Sequence, residues 1–164
     1  MNVTEERASS ALSEARTLLR SGPEGGSLTP FCRWLRKDFE QYNWVGVYLL
    51  QGDQLFLAAW DGEHATEHTT IPLAKGICGM AARERRTINV EDVQARTEYL
   101  ACFLDTRSEI VVPIMDGPTC LGEIDIDGKR RGAYDASDER LLEALAKELV
   151  PHARVLLKRG PSKA

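Results

Sequence analysis

The sequence predicts an α+β fold in which a mainly antiparallel sheet of about six strands is flanked by helices. Apolar residues recur at helical spacing before residue 43 and after residue 134, whereas the region between them consists of short segments rich in β-branched and aromatic residues. Tight turns join several of these segments, which is typical of antiparallel hairpins. No G-x-G-x-x-G motif follows a predicted strand, which argues against a parallel dinucleotide-binding sheet.

The composition limits the class of protein. A chain of 164 residues with 43% hydrophobic and 28% charged residues is typical of one globular domain. The formal net charge of -4 does not indicate a protein that binds nucleic acid, whose phosphates attract positively charged surfaces. No apolar run approaches the roughly 20 residues that span a bilayer, and the N-terminus does not resemble a secretory signal. We therefore expect a cytoplasmic protein whose thiols stay reduced.

Two helices are predicted before the sheet and one after it. The first covers residues 4–20, with Thr4 as its N-cap and with alanine and leucine side chains along one stripe. The second runs from Pro30 to about Tyr42 and has an aromatic and leucine stripe. The third covers residues 135–157. Its candidate N-caps are Asp135 and Ser137.

The region between these helices supplies the sheet. Strands are predicted at residues 43–50, 54–60, 68–72, 87–90, 109–115 and 120–127. Tight turns are predicted at residues 51–53 and 116–117. A short helix is expected at residues 77–85, with Cys78 in its first turn, and residues 92–105 are expected to cross over the sheet as an irregular segment.

The sixth predicted strand carries a row of acidic residues. Regular alternation places Leu121, Glu123, Asp125 and Asp127 on one face and Cys120, Ile124 and Ile126 on the other. One interpretation is a solvent-exposed face of an antiparallel sheet. The other is a closed pocket, in which burial and like charges raise the carboxyl pKa values so that an acid can donate a proton or bind a ligand ammonium group. Glu109 on the neighbouring strand could join this pocket.

The four cysteines show no C-x-x-C spacing, so a zinc site is not predicted, although His64 and His68 leave it open. Cys78 begins a helix, where amide groups and the helix dipole would stabilise a thiolate; a small buried hydrophobe is the alternative. Cys102 lies in the irregular crossover, and loops carry functional residues more often than core elements do. The cysteines expected to serve only in packing are Cys32 and Cys120.

Six motifs taken together resemble the free methionine-(R)-sulfoxide reductases, which are single-domain GAF proteins. In chain order they are N-W-V-G-V-Y-L-L, G-I-C-G-M-A, E-D-V, L-A-C, S-E-I-V-V-P and G-E-I-D-I-D, and the similarity covers most of residues 42–157. The resemblance implies one GAF domain over residues 1–164, with N-terminal helices within 4–42, a sheet core at 43–128 and a C-terminal helix at 135–157. It also implies functional residues. These are the redox cysteines Cys78 and Cys102, the substrate-binding carboxylates Glu109, Asp125 and Asp127, and the aromatic pocket residues Trp44 and Tyr48.

The resemblance further implies thiol-dependent reduction of free L-methionine-(R)-sulfoxide without a metal or organic cofactor. Cys102 would become a sulfenic acid and Cys78 would form a disulfide with it, although the two roles could be exchanged. A thioredoxin-like dithiol would then restore the thiols, and the protein could act as a homodimeric antioxidant enzyme. His68 stands where the family commonly has a third cysteine. The alternative is a non-catalytic GAF module that senses a small ligand or a redox state.

Overall fold

The computed structural model describes residues 2–22, 26–101 and 103–160. In these ranges the helices are α1 (Glu5–Leu19), α2 (Leu28–Asp38), α3 (Gly76–Glu84) and α4 (Ala136–Arg159). The strands are β1 (Trp44–Gln51), β2 (Gln54–Asp61), β3 (Thr70–Pro72), β4 (Ile88–Val90), β5 (Ser108–Asp116) and β6 (Thr119–Gly128). None of the helices in these ranges combines the length and apolar character that a membrane span requires.

The strands form one sheet with the order β3-β2-β1-β6-β5-β4, and every neighbouring pair is antiparallel. The predicted α+β fold with a six-stranded antiparallel sheet is therefore confirmed. The last strand, β6, lies between β1 and β5, so residues distant in sequence meet near the centre of the sheet. This insertion brings the acidic row of β6 beside the aromatic side chains of β1.

Local signals set the helix ends. The Thr4 side chain accepts a hydrogen bond from the Arg7 amide, which confirms the predicted cap of α1. Of the two candidate caps for α4, the structure has Asp135, which forms a reciprocal capping box with Asp138. The predicted bounds of α2, Pro30 to about Tyr42, were wrong at both ends, because the helix covers Leu28–Asp38. Proline is tolerated in the first turn because its missing N–H would have no intrahelical partner there.

The sheet separates two apolar clusters. Helices α2 and α4 pack on one face, and α1 packs on these two helices. Together they form the helical core with residues such as Ala11, Leu35, Val45, Ile110, Ile124, Leu142 and Leu145. Helix α3 covers the other face. There the pocket-side core comprises Trp44, Tyr48, Leu55, Leu57, Ile71, Ile77, Cys78, Ala81, Ala82, Ile88, Val90, Val93 and Val111.

A β-bulge inverts the expected faces at the start of β6. The β5–β6 register shifts between Ile114 and Met115, so that Met115 pairs with Cys120 and Ile114 pairs with Gly122. Leu121 is left as the extra residue of the bulge. Cys120 consequently packs against the pocket-side core and Leu121 against the helical core. The prediction that Cys120 faces away from the acids, with Leu121 on their side, was therefore wrong.

Candidate functional site

Four acidic side chains share the face of the sheet that α3 covers. Glu109 on β5 lies directly opposite Asp127 on β6, and Asp125 and Glu123 follow at alternate positions of β6. Opposite and alternate positions of antiparallel strands lie on one face. All four are buried, and Glu109 is the most exposed of them at 4%. The interpretation of the acidic row as a solvent-exposed face is therefore wrong, and the acids form a closed pocket.

Most of the carboxylate oxygens in this pocket lack a hydrogen-bond partner among the described residues. This holds for both oxygens of Glu123, Asp125 and Asp127 and for one oxygen of Glu109. Buried polar groups in proteins are normally hydrogen-bonded, and a buried charge is normally paired. A group of unsatisfied acids therefore indicates a place where a proton-bearing or cationic ligand group would be stabilised.

Cys78 lies against this group of acids. It occupies the first turn of α3 and is 4% exposed. Its Sγ lies 4.0 Å from Oε1 of Glu109. Donor atoms of Cys78, Glu109 and Asp125 all lie within 4.8 Å of one another. The structure thus brings together one of the two predicted redox cysteines and two of the three predicted substrate-binding carboxylates.

Burial is the main reason that the carboxyl pKa values in the pocket are raised. The pKa values of Glu109, Glu123 and Asp127 lie well above the ordinary range, and that of Asp125 is also raised. For Glu109, Glu123 and Asp127, the negative charge of Asp125 adds to the effect of burial. These groups can consequently hold protons at a pH where an exposed carboxyl would be ionised.

Of the two interpretations of Cys78, the small buried hydrophobe agrees with its burial in the pocket-side core, and the thiolate stabilised by the helix start was wrong. Burial raises the pKa of Cys78 well above that of an ordinary thiol, and the charges of Asp125, Glu123 and Glu109 raise it further. A helix N-terminus stabilises a nearby anion by only about 0.3–1 kcal/mol at exposed sites. Desolvation and three neighbouring acids outweigh that contribution, so Cys78 is held as a thiol.

Aromatic side chains form the wall of the pocket on its β1 side. Trp44 stacks on Trp60 with ring centroids 6.3 Å apart, and Phe103 also packs against Trp44, with ring centroids 5.8 Å apart. The buried indole Nε1 of Trp44 has no hydrogen-bond partner among the described residues. The Tyr48 hydroxyl donates to the His68 carbonyl oxygen at 2.8 Å. Both predicted aromatic residues therefore lie beside the acids, since Trp44 pairs with Asp127 and Tyr48 with Glu123.

Two site features had not been assigned from the sequence. Glu123 was recognised as part of the acidic row but received no role, although it is fully buried beside the other acids. Gly46 lies opposite Asp125, and a Cβ atom there would come within 2.4 Å of the Trp44 ring. An isolated glycine inside a strand often marks such a close approach, which was a usable signal.

Cys102, the predicted nucleophile, lies outside the described residues. The residues on either side of it in the sequence are described. The Ala101 carbonyl oxygen lies 3.0 Å from Nε2 of His68, and Phe103 packs on Trp44. Cys32 is fully buried in the helical core, as expected for a packing residue. Among the described residues, neither of the histidines considered for zinc belongs to a group of potential metal ligands.

A family model of the GAF domain matches residues 31–150. A free methionine-R-sulfoxide reductase from Escherichia coli (strain K12) is 35% identical over 107 residues, which are 65% of this chain and 64% of that protein. One from Saccharomyces cerevisiae is 42% identical over 110 residues, which are 64% of this chain and 59% of that protein. The chain thus spans less than two thirds of the length of these relatives.

Similarity to a solved structure extends over nearly the whole chain. The X-ray structure of a free methionine-R-sulfoxide reductase from Neisseria meningitidis in complex with its substrate has a TM-score of 0.83 and 30% sequence identity. The match covers 94% of this chain and 93% of that one. The similarity is therefore not restricted to the motifs around the acidic pocket.

Proposed function

This chain belongs to the GAF-domain family, and we propose that it reduces free L-methionine-(R)-sulfoxide to methionine at the expense of a dithiol. The observation that carries the proposal is the pocket of buried, unsatisfied carboxylates beside the Cys78 thiol and an aromatic wall. Similarity to free methionine-R-sulfoxide reductases supports the class of substrate. A GAF fold alone would not, because one fold hosts many functions.

The acids would bind the amino group of the substrate. Glu109, Asp125 and Asp127 have oxygens without partners, and an ammonium group supplies hydrogen-bond donors together with the missing positive charge. Trp44 and Tyr48 would pack against the methyl and methylene groups of the side chain. The unpartnered Nε1–H of Trp44 could donate to a substrate oxygen. Such a site would favour the free amino acid over a peptide-bound residue, whose nitrogen carries no charge.

The same acids would provide the proton that the reaction needs. Breaking the S–O bond of a sulfoxide requires protonation of the departing oxygen. A carboxyl with a raised pKa keeps its proton near neutral pH and can deliver it inside the pocket. We assign this role to one of Glu109, Asp125 and Asp127.

In the proposed first step, the Cys102 thiolate attacks the substrate and takes its oxygen. Methionine leaves, the oxygen remains on Cys102 as a sulfenic acid, and the sulfur of the substrate gains the electron pair. The Cys78 thiol then attacks the sulfenic sulfur. A disulfide forms, and the sulfenic hydroxyl leaves as water with the proton of Cys78, for which Glu109 is the nearest candidate carrier. A thioredoxin-type dithiol reduces the disulfide by exchange and is itself oxidised.

The test is to incubate the reduced protein with each epimer of free methionine sulfoxide and a dithiol, and to measure methionine. We expect turnover of the R epimer alone. Cys102→Ser should abolish turnover, while the matched Cys32→Ser variant should retain it because Cys32 lies in the helical core. Full activity of Cys102→Ser would disprove its assignment as nucleophile. Failure of the folded, reduced wild-type protein to act on either epimer would favour a ligand-sensing GAF module instead.

A further inference from the structure

We propose that Cys78, Glu109 and Asp125 form a binding site for Zn²⁺. One donor atom from each of the three side chains lies within 4.8 Å of the other two. The three residues come from different elements, α3, β5 and β6, so their convergence is a property of the fold. They supply a thiol sulfur and two carboxylate oxygens, which are among the ligands that zinc takes in proteins.

The observed separations are close to those of a tetrahedral zinc site. With a Zn–S bond of about 2.3 Å and a Zn–O bond of about 2.0 Å, the sulfur and oxygen ligands lie about 3.5 Å apart. The distance from Cys78 Sγ to Glu109 Oε1 is already 4.0 Å. Even a separation at the 4.8 Å limit would need to shrink by only roughly 1.3 Å between sulfur and oxygen, or roughly 1.5 Å between two oxygens, on metal binding. The long, flexible Glu109 side chain can supply a movement of that size by rotating about its own bonds.

The unsatisfied oxygens point independently to a cation. Both oxygens of Asp125 and one of Glu109 have no hydrogen-bond partner among the described residues, although both side chains are at least nine-tenths buried. Glu123 lies two residues before Asp125 on the same face, and both its oxygens are also without partners. Glu123 or a water molecule could supply the fourth ligand. Without a cation these acids avoid the cost of a buried charge by holding protons, and one divalent ion can replace several of those protons at once.

A small cavity lies beside two of the three ligands. It is lined by Cys78 and Glu109 together with Ile71, Gly76, Ile77 and Leu100. Coordination would deprotonate Cys78 and any protonated carboxyl among the ligands, and these protons would be released to the buffer. No electron transfer is involved, so metal binding requires no oxidant or reductant.

Metal binding would have a consequence for catalysis that rests on the proposed function. The carboxylates that would hold Zn²⁺ are those assigned to the substrate ammonium group, and the coordinated thiolate is the one assigned to disulfide formation. Zn²⁺ and substrate should therefore exclude each other. The binding of the metal itself does not depend on whether the protein is a reductase.

The experiment titrates the reduced full chain with Zn²⁺ by calorimetry and with Cd²⁺ by ultraviolet absorption. Cd²⁺ takes similar ligands, and its bond to a thiolate gives a charge-transfer band. We expect one equivalent of metal and a clear band. Cys78→Ser should abolish the band and weaken Zn²⁺ binding at least 100-fold, whereas the matched Cys32→Ser variant should behave as wild type. A C32S/C102S/C120S variant, with Cys78 as its only thiol, should keep the band, and Asp125→Asn should weaken binding about 10-fold.

Two outcomes would overturn the proposed site. One is a band of unchanged intensity in Cys78→Ser. The other is loss of the band in the variant that retains only Cys78, a result that decides the question even where Cys78→Ser does not fold. Zn²⁺ should also raise the apparent KM for the sulfoxide without changing kcat. If the wild-type protein reduces no sulfoxide, the proposed function fails while the titrations still decide on the metal site.

Discussion

Replacing Glu123 by Gln should remove part of the pH dependence of stability. Glu123 is fully buried, neither of its oxygens has a partner among the described residues, and burial raises its pKa well above the ordinary value. The folded protein therefore holds a proton on this group that the unfolded chain releases above about pH 4.3. The contribution of protonated Glu123 to the free energy of unfolding is fully present below that pH. It is lost as the pH rises through the pKa of Glu123 in the folded protein. A glutamine of similar shape has no proton to lose.

The magnitude follows from proton linkage. Between the unfolded and the folded pKa, one such group lowers the free energy of unfolding by about 1.4 kcal/mol per pH unit. The free energy of unfolding of Glu123→Gln should therefore rise, relative to that of the wild type, by up to about 1.4 kcal/mol for each unit of increasing pH. This rise should end where the pH reaches the pKa of Glu123 in the folded protein. The absolute offset between the two proteins at acidic pH reflects amide packing instead. Only its change with pH reports the buried carboxyl.

The assay is urea unfolding of the reduced proteins at half-unit pH intervals from 5 to 8, with linear extrapolation to water. Glu67→Gln is the matched control, because Glu67 is exposed and its removal should leave the pH profile unchanged. A stability difference between Glu123→Gln and wild type that stays constant across this range would refute the reasoning. It would mean that Glu123 ionises in the folded protein as readily as it does in the unfolded chain.

Three further predictions concern the same pocket. Asp125→Asn should raise KM for the sulfoxide about 10- to 100-fold, because a charge-assisted hydrogen bond contributes roughly 1.5–3 kcal/mol. An unchanged KM would show that Asp125 does not bind the substrate. Gly46→Ala should lower the free energy of unfolding in urea by about 1–3 kcal/mol, because the added Cβ would meet the Trp44 ring at 2.4 Å. A variant as stable as the wild type would show that the ring can shift. When the native, metal-free protein is treated with an alkylating reagent, peptide mass spectrometry should find Cys120 alkylated before Cys78. The reason is that Cys78 is nearly inaccessible and Cys120 is only partly buried. The opposite order would contradict the burial of Cys78.

The prediction of opposite faces for β6 shows where regular periodicity fails. Alternation correctly placed Glu123, Asp125 and Asp127 on one face because β6 is regular beyond Gly122. It failed at Cys120 and Leu121, since a bulge adds one residue to β6 that has no partner on β5. A bulge depends on how two strands are paired, and the sequence of one strand does not contain that information.

The ionisation of Cys78 shows a similar limit. Its position at a helix start was readable from the sequence, and helix α3 does begin two residues before it. The direction of its pKa shift was not readable, because it depends on desolvation and on acids contributed by β5 and β6. Local sequence gives the helix dipole, whereas the larger contributions come from residues 31 to 47 positions away along the chain.

The sequence by itself determined the α+β class, the resemblance to free methionine-(R)-sulfoxide reductases and the residues that bear the proposed chemistry. These follow from short-range periodicity and from motifs whose letters and order are visible in the chain. Only the tertiary structure decided that the acidic row, including Glu123, is sealed from solvent and that Cys78 lies 4.0 Å from Glu109. The insertion of β6 between β1 and β5 is the physical reason, since burial and charge proximity arise from contacts between strands that are far apart in sequence.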